Sequence, residues 1–137
     1  MADTVIATFD GPLDGFAINL TITNDADGEI RAFGISGRTA RFPMTWDSFG
    51  AFSGPATLGT VTGVDTEVIM ARFTNFGSGD TIRFTSVDPD FTGDNVSSVR
   101  VLDLEGCKTT VLFSDGTTAF GCFEVTTDAE LRAVMVK

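Results

Sequence analysis

Large apolar residues alternate with small or polar ones along much of the chain. In residues 16–23 (FAINLTIT) every second side chain is large and apolar. A period of two places those side chains on one face of a β-strand, so the pattern predicts a half-buried strand. Residues 24–28 have the Asn, Asp and Gly content of a turn, and residues 29–36 are expected to return as the partner strand.

The same alternation, with clusters of Val, Ile, Phe and Thr, predicts strands elsewhere in the chain. They cover residues 4–9, 39–42, 56–64, 67–73, 81–87, 99–104, 107–113 and 117–123. The Ser-Asp-Gly sequence at 114–116 is typical of a hairpin turn. Residues 127–130 fit a helix capping box, but residues 131–136 also fit a strand, which we expect in a chain so rich in strands.

The number and spacing of these segments predict the fold class. About nine or ten short strands, separated by turns roughly every 8–12 residues, are typical of two-sheet β-proteins. We therefore expect an all-β, single-domain antiparallel β-sandwich over residues 1–137, of jelly-roll or immunoglobulin-like type, with a barrel as the alternative. A length of 137 residues is enough to bury a substantial core.

The amino-acid composition excludes several kinds of catalytic and metal site, because two residue types are absent from the chain. The chain has no His and no Tyr, but 13 Phe. Without His, a Ser-His-Asp or Cys-His nucleophile, a His general base and a His-ligated zinc site are excluded. A pair of carboxylates could still hydrolyse glycosides, but among 19 acidic residues some pair will have the required separation by accident. We therefore expect a protein that is not an enzyme.

The formal net charge of −10 restricts the partners. Nucleic-acid binding and docking on an anionic membrane are disfavoured, because both depend on clustered Lys and Arg. No uninterrupted apolar segment reaches the ~20 residues of a membrane-spanning helix, and residues 1–3 do not open a signal peptide. Suitable partners are cations, glycans, other surface proteins or further copies of the chain. The charge can also serve solubility alone.

The two cysteines, Cys107 and Cys122, lie almost symmetrically about the predicted turn at 114–116. A three-residue loop places Cys107 opposite Phe123, one position away from Cys122, and one bulge residue would correct this offset. We expect a disulfide between the two cysteines, and with it an oxidising location, extracellular or at a cell or virion surface. The alternative is two buried free thiols in a reducing compartment.

Residues 88–95 (DPDFTGDN) carry oxygen-bearing side chains at alternating positions. Calcium prefers six to eight oxygen ligands, and a turn could direct these side chains at one ion. The candidate ligands are Asp88, Asp90, Thr92 and Asp94. The spacing is not that of an EF-hand, because position twelve lacks the bidentate Glu. The sequence predicts a calcium site at these residues, with a solvated Asp-rich turn as the alternative.

The longest irregular stretch, residues 43–55, contains the only Trp of the chain. Together, Trp46, Phe49 and Phe52 could form an exposed ring surface of the kind that sugar-binding modules use. The alternative is a lid whose aromatic side chains fold onto the core. The lack of Tyr favours the lid, because Tyr supplies both a ring and a hydroxyl for polar ligands.

These observations predict a non-enzymatic structural or surface-interaction domain, such as a subunit of a filament, virion or cell-surface layer, or an adhesive module. Copies of the chain would join through sheet edges by strand addition, with calcium bridging the acidic surfaces. The alternative function is a calcium-assisted carbohydrate-binding module that uses the loop around Trp46.

Overall fold

The structure is a computed structural model that describes residues 3–92 and 97–137. Within these ranges the chain forms thirteen β-strands and two short 3-10 helices, Gly37–Thr39 and Val101–Leu104. The strands are β1 (Thr4–Asp10), β2 (Asn19–Asn24), β3 (Ile30–Ser36), β4 (Met44–Ser48), β5 (Ala51–Ser53), β6 (Thr57–Thr62), β7 (Val68–Phe76), β8 (Thr81–Thr85), β9 (Asp88–Phe91), β10 (Lys108–Phe113), β11 (Thr118–Cys122), β12 (Glu124–Val125) and β13 (Leu131–Val136). The number exceeds the prediction because β4, β5, β9 and β12, each of five residues or fewer, lie in segments that were not predicted as strands.

The strands form three antiparallel sheets that pack against each other. The six-stranded sheet has the order β12-β13-β1-β2-β8-β5, and the five-stranded sheet has the order β11-β10-β3-β7-β6. A two-stranded ribbon of β4 and β9 completes the described part of the chain, where no sheet closes into a barrel. The predicted antiparallel β-sandwich is therefore confirmed.

The alternating pattern decides which side chains enter the core. In β2, Leu20 and Ile22 are fully buried, whereas Thr21 and Thr23 are only partly buried. Leu20 lies opposite Phe9 of β1, which is also fully buried. The same alternation runs along β13, so the predicted closing strand is confirmed and the helix alternative is wrong. Side chains from both large sheets join in one hydrophobic core.

Two of the predicted strands are not formed, and a 3-10 helix overlaps each of these segments. The prediction at residues 39–42 is wrong, because the preceding residues Gly37–Thr39 form a 3-10 helix in which the Ser36 hydroxyl accepts the Arg38 N–H at 3.2 Å. The prediction at 99–104 is wrong, because Val101–Leu104 also coils into a 3-10 helix. Its two apolar ends, Val101 and Leu104, are buried, and a spacing of three residues puts them on one side of such a helix.

The region predicted as a long irregular loop, residues 43–55, contains β4 and β5. In the segment 88–95, for which an Asp-rich turn was the alternative to a calcium site, Asp88–Phe91 are extended as β9 and pair with β4. Among residues 3–92 and 97–137, no helix has the length and apolar character needed to cross a membrane.

Candidate functional site

The two cysteines do not form the predicted disulfide. Both are free thiols, with Cys107 buried and Cys122 exposed. The register of β10 against β11 runs without a shift from Leu112 opposite Thr118 to Lys108 opposite Cys122, and the Phe123 N–H donates to the Cys107 carbonyl at 3.0 Å. Alternation then turns Cys107 inward and Cys122 outward. The prediction is wrong, and the argument for an oxidising compartment that rested on it no longer holds.

The aromatic side chains of residues 43–55 face the core. Trp46 is fully buried and Phe49 is 2 % exposed, while Phe52 is half-buried and packs against the core. The Trp46 ring N–H donates to the Glu67 carbonyl oxygen at 3.0 Å. The Phe49 ring stacks on Phe84 of β8, with 4.8 Å between the ring centroids. The interpretation of Trp46 and Phe49 as a ligand surface is therefore wrong, and the lid alternative describes this segment.

The predicted calcium ligands are only partly brought together. Asp88 and Asp90 lie on the exposed face of β9, and Asp47 of β4 joins them, with carboxylate oxygens of all three within 4.8 Å of one another. The Thr92 hydroxyl instead donates to the Pro43 carbonyl at 3.1 Å. Asp94 lies outside the described residues. Asp47 was missed because its partner strand could not be known from the sequence.

The cluster formed by Asp47, Asp88 and Asp90 is electrostatically strained. The Asp90 carboxyl raises the pKa of Asp47 above its ordinary value, because it can accept a hydrogen bond from the protonated form of Asp47 and repels the ionised form, and Asp65 acts in the opposite direction. A raised folded-state pKa means that the folded protein binds this proton more tightly than the unfolded chain. Stability therefore falls as the pH rises from 3.8 through the raised pKa.

Calcium at this cluster stays a prediction, and Asp47→Asn tests it. Without divalent cations at pH 7, we expect the variant to melt at a higher temperature than the wild type, because the repulsion from Asp90 is relieved. Added calcium should raise the melting temperature of the wild type by several degrees and that of the variant by much less. The control is Asp128→Asn, which removes an exposed carboxylate from a turn outside the cluster. An equal calcium response in all three proteins would contradict the prediction.

A cleft of about 500 Å³, which we call the aromatic cleft, opens on the surface near the ribbon of β4 and β9. It is lined by Phe16, Phe42, Phe91, Ser97, Ser98, Arg100 and Asp103. Phe16 is 56 % exposed and Phe42 is 46 % exposed, whereas Phe91 is half-buried against the core. Phe42 meets Phe91 edge-to-face, with 6.0 Å between the centroids. The cleft thus has two exposed aromatic rings and a third ring that is half-buried. Polar side chains form its rim.

Backbone hydrogen bonds hold the segments around the cleft together. The Val101 N–H donates to the Gly15 carbonyl at 3.0 Å, which ties the loop before Phe16 to the 3-10 helix Val101–Leu104. The Thr92 N–H donates to the Pro43 carbonyl at 3.1 Å, which ties the end of β9 to the residue after Phe42. The rings therefore sit on a largely preformed frame, as small-ligand sites usually do.

Two arginines lie over the exposed rings of the cleft. The Arg100 guanidinium carbon is 5.1 Å from the centroid of Phe16, and that of Arg41 is 5.5 Å from the centroid of Phe42. Both distances are within the range of cation–π interactions. The cleft therefore combines apolar rings with positive charge, on a chain whose formal net charge is −10.

The acidic cluster is close to this cleft. A neighbouring depression of about 220 Å³ is lined by Asp88 and Asp90, and it shares Phe16 and Ser98 with the aromatic cleft. The rings and the carboxylates therefore belong to one concave region of the surface.

Comparison of the chain with protein-family models, with curated proteins and with solved structures finds no match.

Proposed function

We propose that this protein is a non-enzymatic interaction domain that holds its partner at the aromatic cleft. The exposure of Phe16 and Phe42 in the lining of one cleft is the observation that carries this proposal. Single exposed apolar residues are common on protein surfaces and need no explanation. Rings gathered in a cleft with a few polar groups are typical of a binding site.

Binding is better supported than catalysis. The chain has no His, and burial raises the pKa of the Cys107 thiol to about 12, with a smaller contribution from Cys122. The Cys107 thiol is thus protonated and shielded at neutral pH, so it is not a nucleophile.

Assembly through sheet edges, the other function expected from the sequence, has less support. The edge strands β5 and β12 have only three and two residues. The register of β6 against β7 shifts between Leu58 and Val61, and such irregularities protect an edge from strand addition. The edge strand β11 lies close to β13 of the other sheet, since a Cβ built at Gly121 would lie 2.8 Å from the Val134 carbonyl oxygen.

The proposal is tested with the double variant Phe16→Ala/Phe42→Ala against a defined panel of neutral oligosaccharides, acidic oligosaccharides and acidic peptides. We expect the wild type to bind at least one class, and the double variant to lose about tenfold or more in affinity, because two ring contacts are removed. Isothermal titration calorimetry gives the dissociation constants. Both rings are about half exposed, so we expect the variant to remain folded.

Phe120→Ala is the matched control. Phe120 is 54 % exposed and also has a cation over its ring, with Lys108 Nζ at 4.9 Å, but it does not line the cleft. Removal of the Phe120 ring should leave the affinity for the bound member of the panel unchanged. If no member of the panel binds, or if the control loses as much affinity as the double variant, the cleft is not the contact site.

A further inference from the structure

Two cations at the aromatic cleft have no carboxylate partner among the described residues, whereas five of the nine cations of the chain have one. Five of the nine cationic side chains form ion pairs with carboxylates, namely Arg31, Arg38, Arg83, Arg132 and Lys137. Arg41 and Arg100 form no ion pair among residues 3–92 and 97–137, although the chain has an excess of acids. No carboxylate of these residues therefore neutralises the positive charge beside the two exposed rings.

The position of Arg100 over a ring suits it to bind a carboxylate. A guanidinium held against a ring by cation–π attraction is fixed in position, and its N–H groups at the edge can donate two parallel hydrogen bonds to one carboxylate. The backbone N–H of Arg100 donates to Asp103 Oδ2 at 2.8 Å, which fixes the main chain from which the guanidinium extends. The cleft thus presents a preorganised donor for an anion.

The Asp103 carboxylate at the rim of the cleft disfavours a ligand that offers only a negative charge. The Asp103 carboxylate lines the same cleft and would repel a ligand that carries only negative charge. A carboxylate accepts hydrogen bonds from hydroxyl groups, and Ser98 adds a further polar side chain to the lining of the same cleft. The cleft therefore fits a ligand that bears both a carboxylate and hydroxyl donors, with an apolar face for the rings.

We propose that the aromatic cleft binds a carboxylate-bearing sugar of an acidic polysaccharide. The sugar carboxylate binds Arg100, a sugar hydroxyl donates to Asp103, and the C–H face of the sugar packs on Phe16 or Phe42. This inference rests on the proposed function, since it names the ligand class of the same cleft. It does not depend on calcium at Asp47, Asp88 and Asp90.

The test compares two probes of equal length that differ in charge, galacturonic acid trisaccharide and the neutral galactose trisaccharide. Calorimetry is performed in EDTA, so that calcium does not bridge acids of the protein and the probe. We expect the acidic probe to bind the wild type at least about tenfold more tightly than the neutral probe. Arg100→Gln should weaken binding of the acidic probe about 10- to 100-fold and leave the neutral probe almost unchanged.

Two further variants make the result specific. Lys108→Gln removes the same charge from a cation over Phe120, outside the cleft, and should change the affinity less than twofold. Arg100→Lys keeps the charge but loses the two-pronged donor, so it should fall between the wild type and Arg100→Gln. Near-ultraviolet circular dichroism shows whether each variant is folded.

The outcomes separate this inference from the proposed function. Equal binding of both probes, lost in Phe16→Ala/Phe42→Ala, would leave the cleft as a contact site and overturn the acidic-sugar assignment. Binding of an acidic peptide but of neither sugar, with the same dependence on Arg100, would also overturn it. If neither the sugars nor the peptides bind, the inference and the proposed function fail together.

Discussion

Replacing Gly50 by alanine is expected to destabilise the protein by at least about 3 kcal/mol. Gly50 lies between β4 and β5 with a φ of +79°, a left-handed conformation that costs a residue with a Cβ about 1–2 kcal/mol. A Cβ here would lie 2.6 Å from the Ser86 carbonyl oxygen and closer still to that of Thr85. Because both oxygens are backbone atoms, room can be made only by moving β5 away from β8.

Gly116→Ala is the matched control for this prediction. Gly116 has a similar φ of +87°, but a Cβ there meets nothing within 4 Å. It should lose only the conformational cost of about 1–2 kcal/mol. Urea denaturation of both variants measures the difference. Equal losses would mean that the backbone around Gly50 adjusts without cost and that β5 is not tightly held.

Trp46→Ala is expected to cost about 3–5 kcal/mol, because it removes the largest fully buried side chain and leaves a cavity. Trp46→Phe keeps a ring in the core, but it loses the hydrogen bond from the ring N–H to the Glu67 carbonyl, so it should cost less. The free energy of unfolding of each variant is measured by urea denaturation. A loss below about 1 kcal/mol for Trp46→Ala would contradict the burial of this side chain.

Fluorescence checks the same burial without mutation. The chain has one Trp and no Tyr, so the emission of Trp46 is not mixed with that of other residues. The folded protein should emit at short wavelength and resist quenching by acrylamide, and both properties should be lost on unfolding. A long-wavelength, quenchable emission from the folded protein would place Trp46 at the surface.

The long alternating segments are the part of the fold that could be predicted from the sequence. A period of two identifies the buried face of β2 and β13 without knowledge of their partners. The hairpin of β10 and β11 shows the limit. Counting residues around its turn places Cys107 opposite Phe123, as in the structure, but the disulfide required an additional bulge for which the sequence held no signal.

Short strands were missed because their composition resembles that of turns. Asp88-Pro89-Asp90-Phe91 is rich in turn formers, yet it pairs with β4. A signal was present, because the apolar residues alternate with the acids, and Pro89 is buried while Asp88 and Asp90 are exposed. Proline is tolerated in a strand at a sheet edge, where its missing N–H need not be paired.

The aromatic cleft could not have been predicted in this way. Its rings come from three separate segments, and Phe in a chain with 13 such residues is normally assigned to the core. Two local signals mark the exposed rings, since Phe16 follows Gly15 in a loop and Phe42 precedes Pro43. Neither shows that the two rings line one cleft, because that depends on how the connections between distant strands are folded.

The place of β1 in the six-stranded sheet has a consequence for biosynthesis. β1 lies between β2 and β13, with Thr4 opposite Val136 and Phe9 opposite Leu131. A ribosome makes β1 near the start of the domain and β13 near its end. One hydrogen-bonding side of β1 therefore waits for its partner while the rest of the domain is translated, and during that time it is open to pairing with strands of other nascent chains.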